Sequence, residues 1–457
     1  MSQRFGFPSI VILSCLLSWN LLLAQDPESL PSTQLSLEEC IQWALRMNPQ
    51  IDAANYQVQQ AESKEGEAKA GELPRIEVLD IFGAVPEARG DVLNSPDKTT
   101  DIGGLGPFNR VEVNITQPIY TFGMLSSYIE AAQHGLVAQK AKKEMTHQEV
   151  IYEVKKLYYA TLLNRKLLEV LTEVKDNFQK AVEKSEELIA EGSNKITQTE
   201  FLKLKLGANE IEQQWARLYY SEPLTLAALK QAVGIKPNAD FDMEATDLTL
   251  ETANLQSLEE HIAQTFEHRP EWKALQAGIE AKKEALEAEK KTPYPAFFVN
   301  GLFRYGVAPN RDDQKNPFVS DDFNFVEAGA FLGVRVAFDF GYDDRVAGAR
   351  AELDQLKADQ SRAELGFPVE VQQAWLAVKE MERQFELAQE ARRNARTLLG
   401  LAVTHHELGV GKAKDIYEAI EFFTKALSNY YLTIHDYNMA LAQLSKVTGR
   451  EVTNLSY

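Results

Sequence analysis

The stretch Glu407–Asp415 reads ELGVGKAKD, and its glycine–lysine step is the kind of sequence that holds phosphate. A phosphate-binding loop is G-x-x-x-x-G-K-[ST]: backbone N–H groups cradle the phosphates and the hydroxyl holds magnesium. Counting back from Gly411 and Lys412, His406 stands at the first glycine position, and Ala413 at the hydroxyl position. No hydrophobic strand leads into it, so the stretch is not a nucleotide site. The neighbouring His405-His406-Glu407 invites a metal. Adjacent helical residues diverge by about 100°, whereas a chelating pair of histidines sits at i, i+4. His261 and His268 lie two turns apart, too far to share one ion. Asp343-Asp344 reads as a charged first turn favoured by the helix dipole. Neither G-x-S-x-G nor H-E-x-x-H occurs. The reading is of a protein with no catalytic, cofactor-binding or metal-ligating residues, and its glycines need another explanation.

That explanation lies in the flanking elements. Met124–Glu191 contains no proline and Tyr342–Leu408 only Pro368, so each can form a helix of about 100 Å at ~1.5 Å per residue. Pro368 is expected to kink the second. In the first, Val150, Val154, Leu157, Leu168, Leu171, Phe178, Val182 and Ile189 fall on a stripe stepping by four and three, with Thr161, Asn164, Lys175 and Ser185 as polar interruptions. This is a coiled-coil seam. In the second, Val371, Trp375, Val378, Phe385, Leu399 and Val403 step likewise, beside a small-residue stripe of Ala374, Ala377, Ala388, Ala391, Ala395 and Ala402. Two stripes predict neighbours on both sides. Gly192 and Gly411 fall where these helices must reverse, and glycine supplies the positive φ at a helix C-terminus. Gly192, Ser193, Asn194 and Lys195 form one expected hairpin tip; Gly409, Gly411, Lys412 and Lys414 form the other.

The tips are one pair in a longer series. Ser36–Glu39 (SLEE) recurs at Ser257–Glu260, 221 residues on. Asn48-Pro49 matches Arg269-Pro270, Pro74 matches Pro295, Phe122-Gly123 matches Phe340-Gly341, and Gly234 matches Gly449. Collinear matches of this extent indicate two tandem copies of one unit. The expected organisation is a signal peptide (1–24) and a first repeat (25–234) with strands at 74–86 and 109–119, a long helix at 122–191 and a helix at 196–233. A linker (235–256) leads to a second repeat (257–449) with strands at 296–307 and 324–339, a long helix at 342–408 and a helix at 414–448. A tail (450–457) ends the chain.

The first 24 residues place Arg4 before an apolar run, which is the layout of a secretory signal. Arg4 is their only charge, so its removal takes the formal net charge from −19 to about −20. So acidic a chain lacks the basic footprint of nucleic-acid binding. Only Cys40 remains after cleavage, which excludes an intramolecular disulfide. No later apolar run reaches the ~20 residues of a membrane helix, so any membrane entry must use strands. Val111, Val113 and Ile115 alternate with Glu112 and Asn114; Val299 and Phe303 with Asn300 and Arg304; Val326 to Phe338 with Glu327, Arg335 and Asp339. Such alternation suits a barrel strand between lipid and lumen and equally a soluble sheet with one wet face. The segments after each first strand, PEARGDVLNSPDKTTDIGGLGP and APNRDDQKNPFVSDD, read as long polar loops.

The opening LSLEECIQWALRMNPQI, the two collinear copies, the strand pairs, the two long hairpins, and TQPIYTFG and VAFDFGYDDR at the strand-to-helix transitions resemble the TolC-like outer membrane efflux proteins. The resemblance covers about Leu35 to Gly449. It implies a mainly α fold with a small β part: two very long antiparallel helical hairpins in an α-barrel, and four strands contributing to a trimeric twelve-stranded outer-membrane β-barrel. It implies a channel in the outer membrane with a periplasmic helical tunnel, and as partners two further copies of the chain, outer-membrane lipid, a periplasmic adaptor and an inner-membrane transporter of RND or ABC type. Family members carry acidic residues just after the second hairpin turn, which match Asp415 and Glu418 here and would ring the periplasmic aperture. An aromatic and an arginine that help latch the tip in the family are replaced by His406 and Gly411, which leaves Lys412 and Lys414 for that role. The rival readings are a periplasmic coiled-coil adaptor, which needs neither two copies nor four amphipathic strands, and a secreted helical adhesin, which leaves the strand pairs unexplained.

Overall fold

The computed structural model describes residues 34–89, 101–191, 197–236, 238–313, 321–408, 413–455 and 457. The signal segment lies outside them, as do Gly192, Ser193, Asn194, Lys195, Gly409, Gly411 and Lys412. The elements run β1 (Gln34–Leu35), α1 (Leu37–Met47), α2 (Pro49–Ala70), β2 (Arg75–Arg89), β3 (Asp101–Tyr120), α3 (Met124–Ala190), α4 (Gln198–Val233) and β4 (Asp242–Met243). Then come α5 (Leu258–His268), α6 (Pro270–Lys291), β5 (Ala296–Val307), β6 (Phe325–Arg335), α7 (Tyr342–Glu407) and α8 (Ala413–Thr448). The fold is mainly helical, tandemly repeated, with a small β part.

Local sequence explains the repeat. Ser36 caps α1 in a capping box with Glu39, and Ser257 caps α5 in the same way with Glu260. Each opening segment forms two helices with a break between them. Pro49 and Pro270 stand at the first position of a new helix, where the missing N–H costs nothing. Gly234 and Gly449 end α4 and α8 with φ of 82° and 70°. A Cβ on Gly234 would lie 2.4 Å from the Met47 carbonyl oxygen, and one on Gly449 would lie 2.7 Å from the Arg269 Cα. In both copies the helix end therefore presses on the break between the first two helices, and only glycine fits.

The helices lie side by side in a fixed order. Beside the sheet the order is α2, α3, α6, α7; towards the hairpin ends it is α4, α3, α8, α7. Every residue of the stripe expected on α3 is buried or half-buried. On α7 the buried line is Val371, Ala374, Val378, Ala388, Ala395 and Ala402, whereas Ala391 and Val403 are exposed. The two stripes thus merge into one, and Leu365, Leu376, Leu387, Leu398 and Leu401 remain uncovered on the other side. The helix continues through Pro368.

The main core lies where α1 meets α3 and α4, around Ile41, Val154, Leu229, Val233 and Met243, under the parallel pair β1–β4. A second core joins Val371 and Val378 to Leu441 and Leu444. Lys155 is buried between them in an ion pair with Glu451, whose carboxylate also accepts hydrogen bonds from Ser445 (3.1 Å), Thr453 (2.6 Å) and Tyr457. Burial pushes the Glu451 carboxyl up, but Lys155 and these donors outweigh it and hold it below the usual carboxylate range. The C-terminal tail is thereby fastened to the middle of α3.

Candidate channel wall and hairpin ends

The four long strands form one antiparallel sheet in the order β2-β3-β5-β6. Directly opposed residues share a face, so the register sorts the two sides of the wall. One row is Val78–Val113–Phe303–Ala328, and the next is Leu79–Glu112–Arg304–Glu327. Val299, Val326, Leu332 and Val334 fall on the side of the first row; Asn114, Asn300 and Arg335 fall on that of the second.

The polar side is internally paired. Arg304 bridges Glu112 at 3.3 Å and Glu327 at 3.0 Å, and Arg110 reaches Glu112 at 3.3 Å. The Asn300 amide donates to Asn114 at 2.6 Å and to Thr116 at 3.2 Å. Leu79 and Phe331 are the large apolar residues exposed on this side. The apolar side has no covering layer: Val78 is 66 % exposed and Leu332 74 %. Its polar residues include Asp80, which accepts from the Asn109 amide at 2.6 Å, and Gln117.

Two segments read as loop prove to be strand. β2 continues through Pro86 to Arg89 and β3 begins at Asp101, with a register shift at Pro86/Glu87. The polar composition suggested a loop, but a two-sided extension beyond the apolar band needs no apolar row, so period-two hydrophobicity cannot reveal it.

At the strand-to-helix transitions the copies differ. Phe122 and Gly123 both have positive φ, 52° and 79°. The Phe122 ring sits among Tyr120, Tyr294 and Phe297 at 4.7, 5.6 and 6.4 Å. In the second copy the turn is built instead by Asp339, which accepts from the Gly341 N–H at 2.8 Å and pairs with Arg345.

At the hairpin ends the described site residues are Lys414, Asp415 and Glu418. All three are exposed in the first turns of α8, and Lys414 pairs with Glu418 at 3.2 Å. Sequence reading missed two neighbours. Thr197 and Glu200 make a capping box that starts α4, legible in retrospect as T-x-x-E. Tyr417 packs edge-on against Phe178 at 5.0 Å, with its hydroxyl 2.0 Å from where a Cβ on Gly207 would stand. Tyr417 thus joins α8 to the first hairpin through a notch that only glycine leaves open. Burial, with Glu421 and Glu210 nearby, raises its pKa. Among the described residues there is no metal-ligating cluster and no helix long and apolar enough to cross a membrane.

The sheet, amphipathic and bare on its apolar side, is thus continuous with helical hairpins about 100 Å long. The family model described as outer membrane efflux protein matches residues 40–235. Solved structures extend the fold likeness to the whole chain. The Campylobacter jejuni CmeC outer membrane channel is 15 % identical over 95 % of this chain and 92 % of its own, with a TM-score of 0.73. The outer membrane protein VceC of Vibrio cholerae is 16 % identical, covering 91 % and 96 %, with a TM-score of 0.71. The open state of the Neisseria gonorrhoeae MtrE outer membrane channel is 16 % identical, covering 94 % and 95 %, with a TM-score of 0.71. No curated protein matches the chain by sequence. Residues 40–235 are thus similar to the outer membrane efflux proteins, and the chain as a whole shares the fold of these outer-membrane channels.

Proposed function

We infer that three copies of the chain close one twelve-stranded barrel, and that the assembly is the exit duct of a tripartite efflux or secretion system. A periplasmic adaptor docks at the hairpin ends around Gly192 and Gly411 and links the duct to an inner-membrane transporter of RND or ABC type. The observation that carries this reading is the sheet: its apolar side is bare, and among the described residues no strand pairs with the outer edge of β2 or of β6. Unpaired edges are costly in a bilayer, where backbone groups must be satisfied by closure. A periplasmic adaptor has no use for such a surface.

On this reading Asp415 and Glu418 ring the narrow end. Glu418 is paired with Lys414. Like charges in a narrow aperture focus the field and draw cations. Light scattering of the detergent-solubilised protein should give three copies per particle, and planar bilayers should show cation-preferring conductance. Asp415→Asn with Glu418→Gln should reduce that preference, and Lys414→Gln should increase it. A single-copy, non-conducting particle refutes the duct; unchanged selectivity in all variants removes only the ring.

A further inference from the structure

Phe340 is fully exposed at 103 % and Phe338 at 90 %, side by side at the β6–α7 transition. Their counterparts in the first copy, Phe122 and Tyr120, are less exposed, at 39 % and 56 %. The Phe122 ring rests on Tyr294 and Phe297, which belong to the second copy. That contact is therefore an interface between repeats, made where β3 and α3 lie beside β5 and α6.

The duplication says what the same contact would be elsewhere. Phe122-Gly123 corresponds to Phe340-Gly341, and Pro295 corresponds to Pro74. Tyr294 and Phe297 thus correspond to Leu73 and Ile76, each 62 % exposed. Phe340 lies on one open side of the subunit, with β6 and α7. Leu73 and Ile76 lie on the opposite side, with β2 and α2. They are out of reach of Phe340 within one chain and adjacent when two copies meet edge to edge.

We propose that Phe340, flanked by Phe338, seats on Leu73 and Ile76 of a second copy, repeating between subunits the aromatic contact that Phe122 makes between repeats. The proposal rests on the multi-subunit reading above and names the residues that form its seam. The seam is apolar. The internal contact adds a polar lock, Lys291 donating to the Gly123 carbonyl at 3.3 Å and to Ser127 at 2.9 Å. At the corresponding positions stand Ala70, Gly341 and Arg345, which cannot make it. Removing the rings should therefore weaken the seam between subunits more than the interface between repeats.

The test replaces Phe340 of the full chain with the photoreactive p-benzoylphenylalanine, an aromatic that preserves packing. It is co-expressed with an epitope-tagged copy and irradiated in outer-membrane vesicles. The expected product joins tagged and untagged chains, with the crosslink mapped by mass spectrometry to the segment around Leu73 and Ile76. In a second arm, Phe340→Lys and Ile76→Glu should each lower the temperature at which the oligomer dissociates, and the double variant should recover most of the loss. Crosslinks to lipid alone or to another segment, in a particle that light scattering still finds to hold three copies, overturn the seam and leave the channel reading intact. A single-copy particle overturns both.

Discussion

Val113→Arg and Asn114→Arg place the same charge on neighbouring residues of one strand, and the wall geometry demands opposite outcomes. Val113 lies opposite Val78 and Phe303 on the bare apolar side, whereas Asn114 lies opposite Glu77 and Leu302 on the polar side. Twelve-residue β5, rising ~3.4 Å per residue and tilted by about 45°, spans roughly 29 Å, close to the hydrocarbon thickness. Phe303 is one to two residues from its midpoint, which puts Val113 within about 4 Å of the midplane on that rise. An arginine there costs about 2–4 kcal/mol, and the upper half of that range applies at this depth. In the three-copy barrel proposed above the cost becomes about 9–12 kcal/mol per assembly, on the same per-residue scale. Asn114→Arg instead gains Glu77 directly opposite and should change stability by less than about 1 kcal/mol. Outer-membrane fractions are assayed for oligomer bands that resist detergent at room temperature and dissociate on heating. Val113→Arg should remove the band; Asn114→Arg should leave it. Equal tolerance, or equal loss, refutes the assignment of the two faces.

Gly449→Ala should destabilise the fold by about 2–4 kcal/mol, from the left-handed backbone and a Cβ 2.7 Å from the Arg269 Cα. Gly400→Ala, mid-helix with nothing within 4 Å, should gain up to about 1 kcal/mol; thermal unfolding compares them. Lys155→Met leaves Glu451 buried without its cation and should cost about 3–5 kcal/mol. Because the folded state holds the Glu451 carboxyl low, its contribution is fully present above the unfolded value of 4.5 and lost as pH falls through the folded value. Glu451→Gln should flatten that acid limb in denaturant melts. His261 is buried with neither ring nitrogen bonded among the described residues, and burial lowers its pKa below 6.5. The folded state then resists a proton that the unfolded chain accepts, so stability should decline as pH drops below 6.5, and His261→Leu should remove that slope.

What was legible in the sequence was what repeats with a short period. The α3 seam and both faces of β3, β5 and β6 follow from alternation, because each buried or lipid-facing row is set by a fixed step along the chain. The duplication was legible because its landmarks are residues with backbone duties: Pro49 and Pro270, Gly234 and Gly449. What stayed hidden depends on partners far apart. Lys155 and Glu451 are separated by 296 residues, and Glu451 sits in a tail without periodicity, so nothing marks the lysine as buried. Tyr417, Gly207 and Phe178 come from three helices and meet only after both hairpins form. On α7 the composition misled in a simple way. The stripe of Val371, Trp375, Val378, Phe385, Leu399 and Val403 and the alanine stripe were expected to face neighbours on both sides, but within a single chain they supply mainly one buried line.

The same one-sidedness explains how the duct can divide its labour. Along the barrel wall Arg75, Arg110, Arg304 and Arg335 stand on the same side as Glu77, Glu112 and Glu327. Most of these charges are already paired within the subunit: Arg75 with Glu77 at 2.9 Å, and Arg110 and Arg304 with Glu112. A wall of near-balanced, mutually satisfied charges presents little net field to a passing solute, and exposed pairs of this kind are screened by salt. Discrimination by charge then has to arise where the passage narrows and the charges are of one sign. On the proposed reading that is the hairpin end, where each copy brings Asp415 and Glu418, the latter paired with Lys414. On that reading an adaptor could alter selectivity by covering or spreading the ends alone, with the membrane-embedded sheet left unchanged.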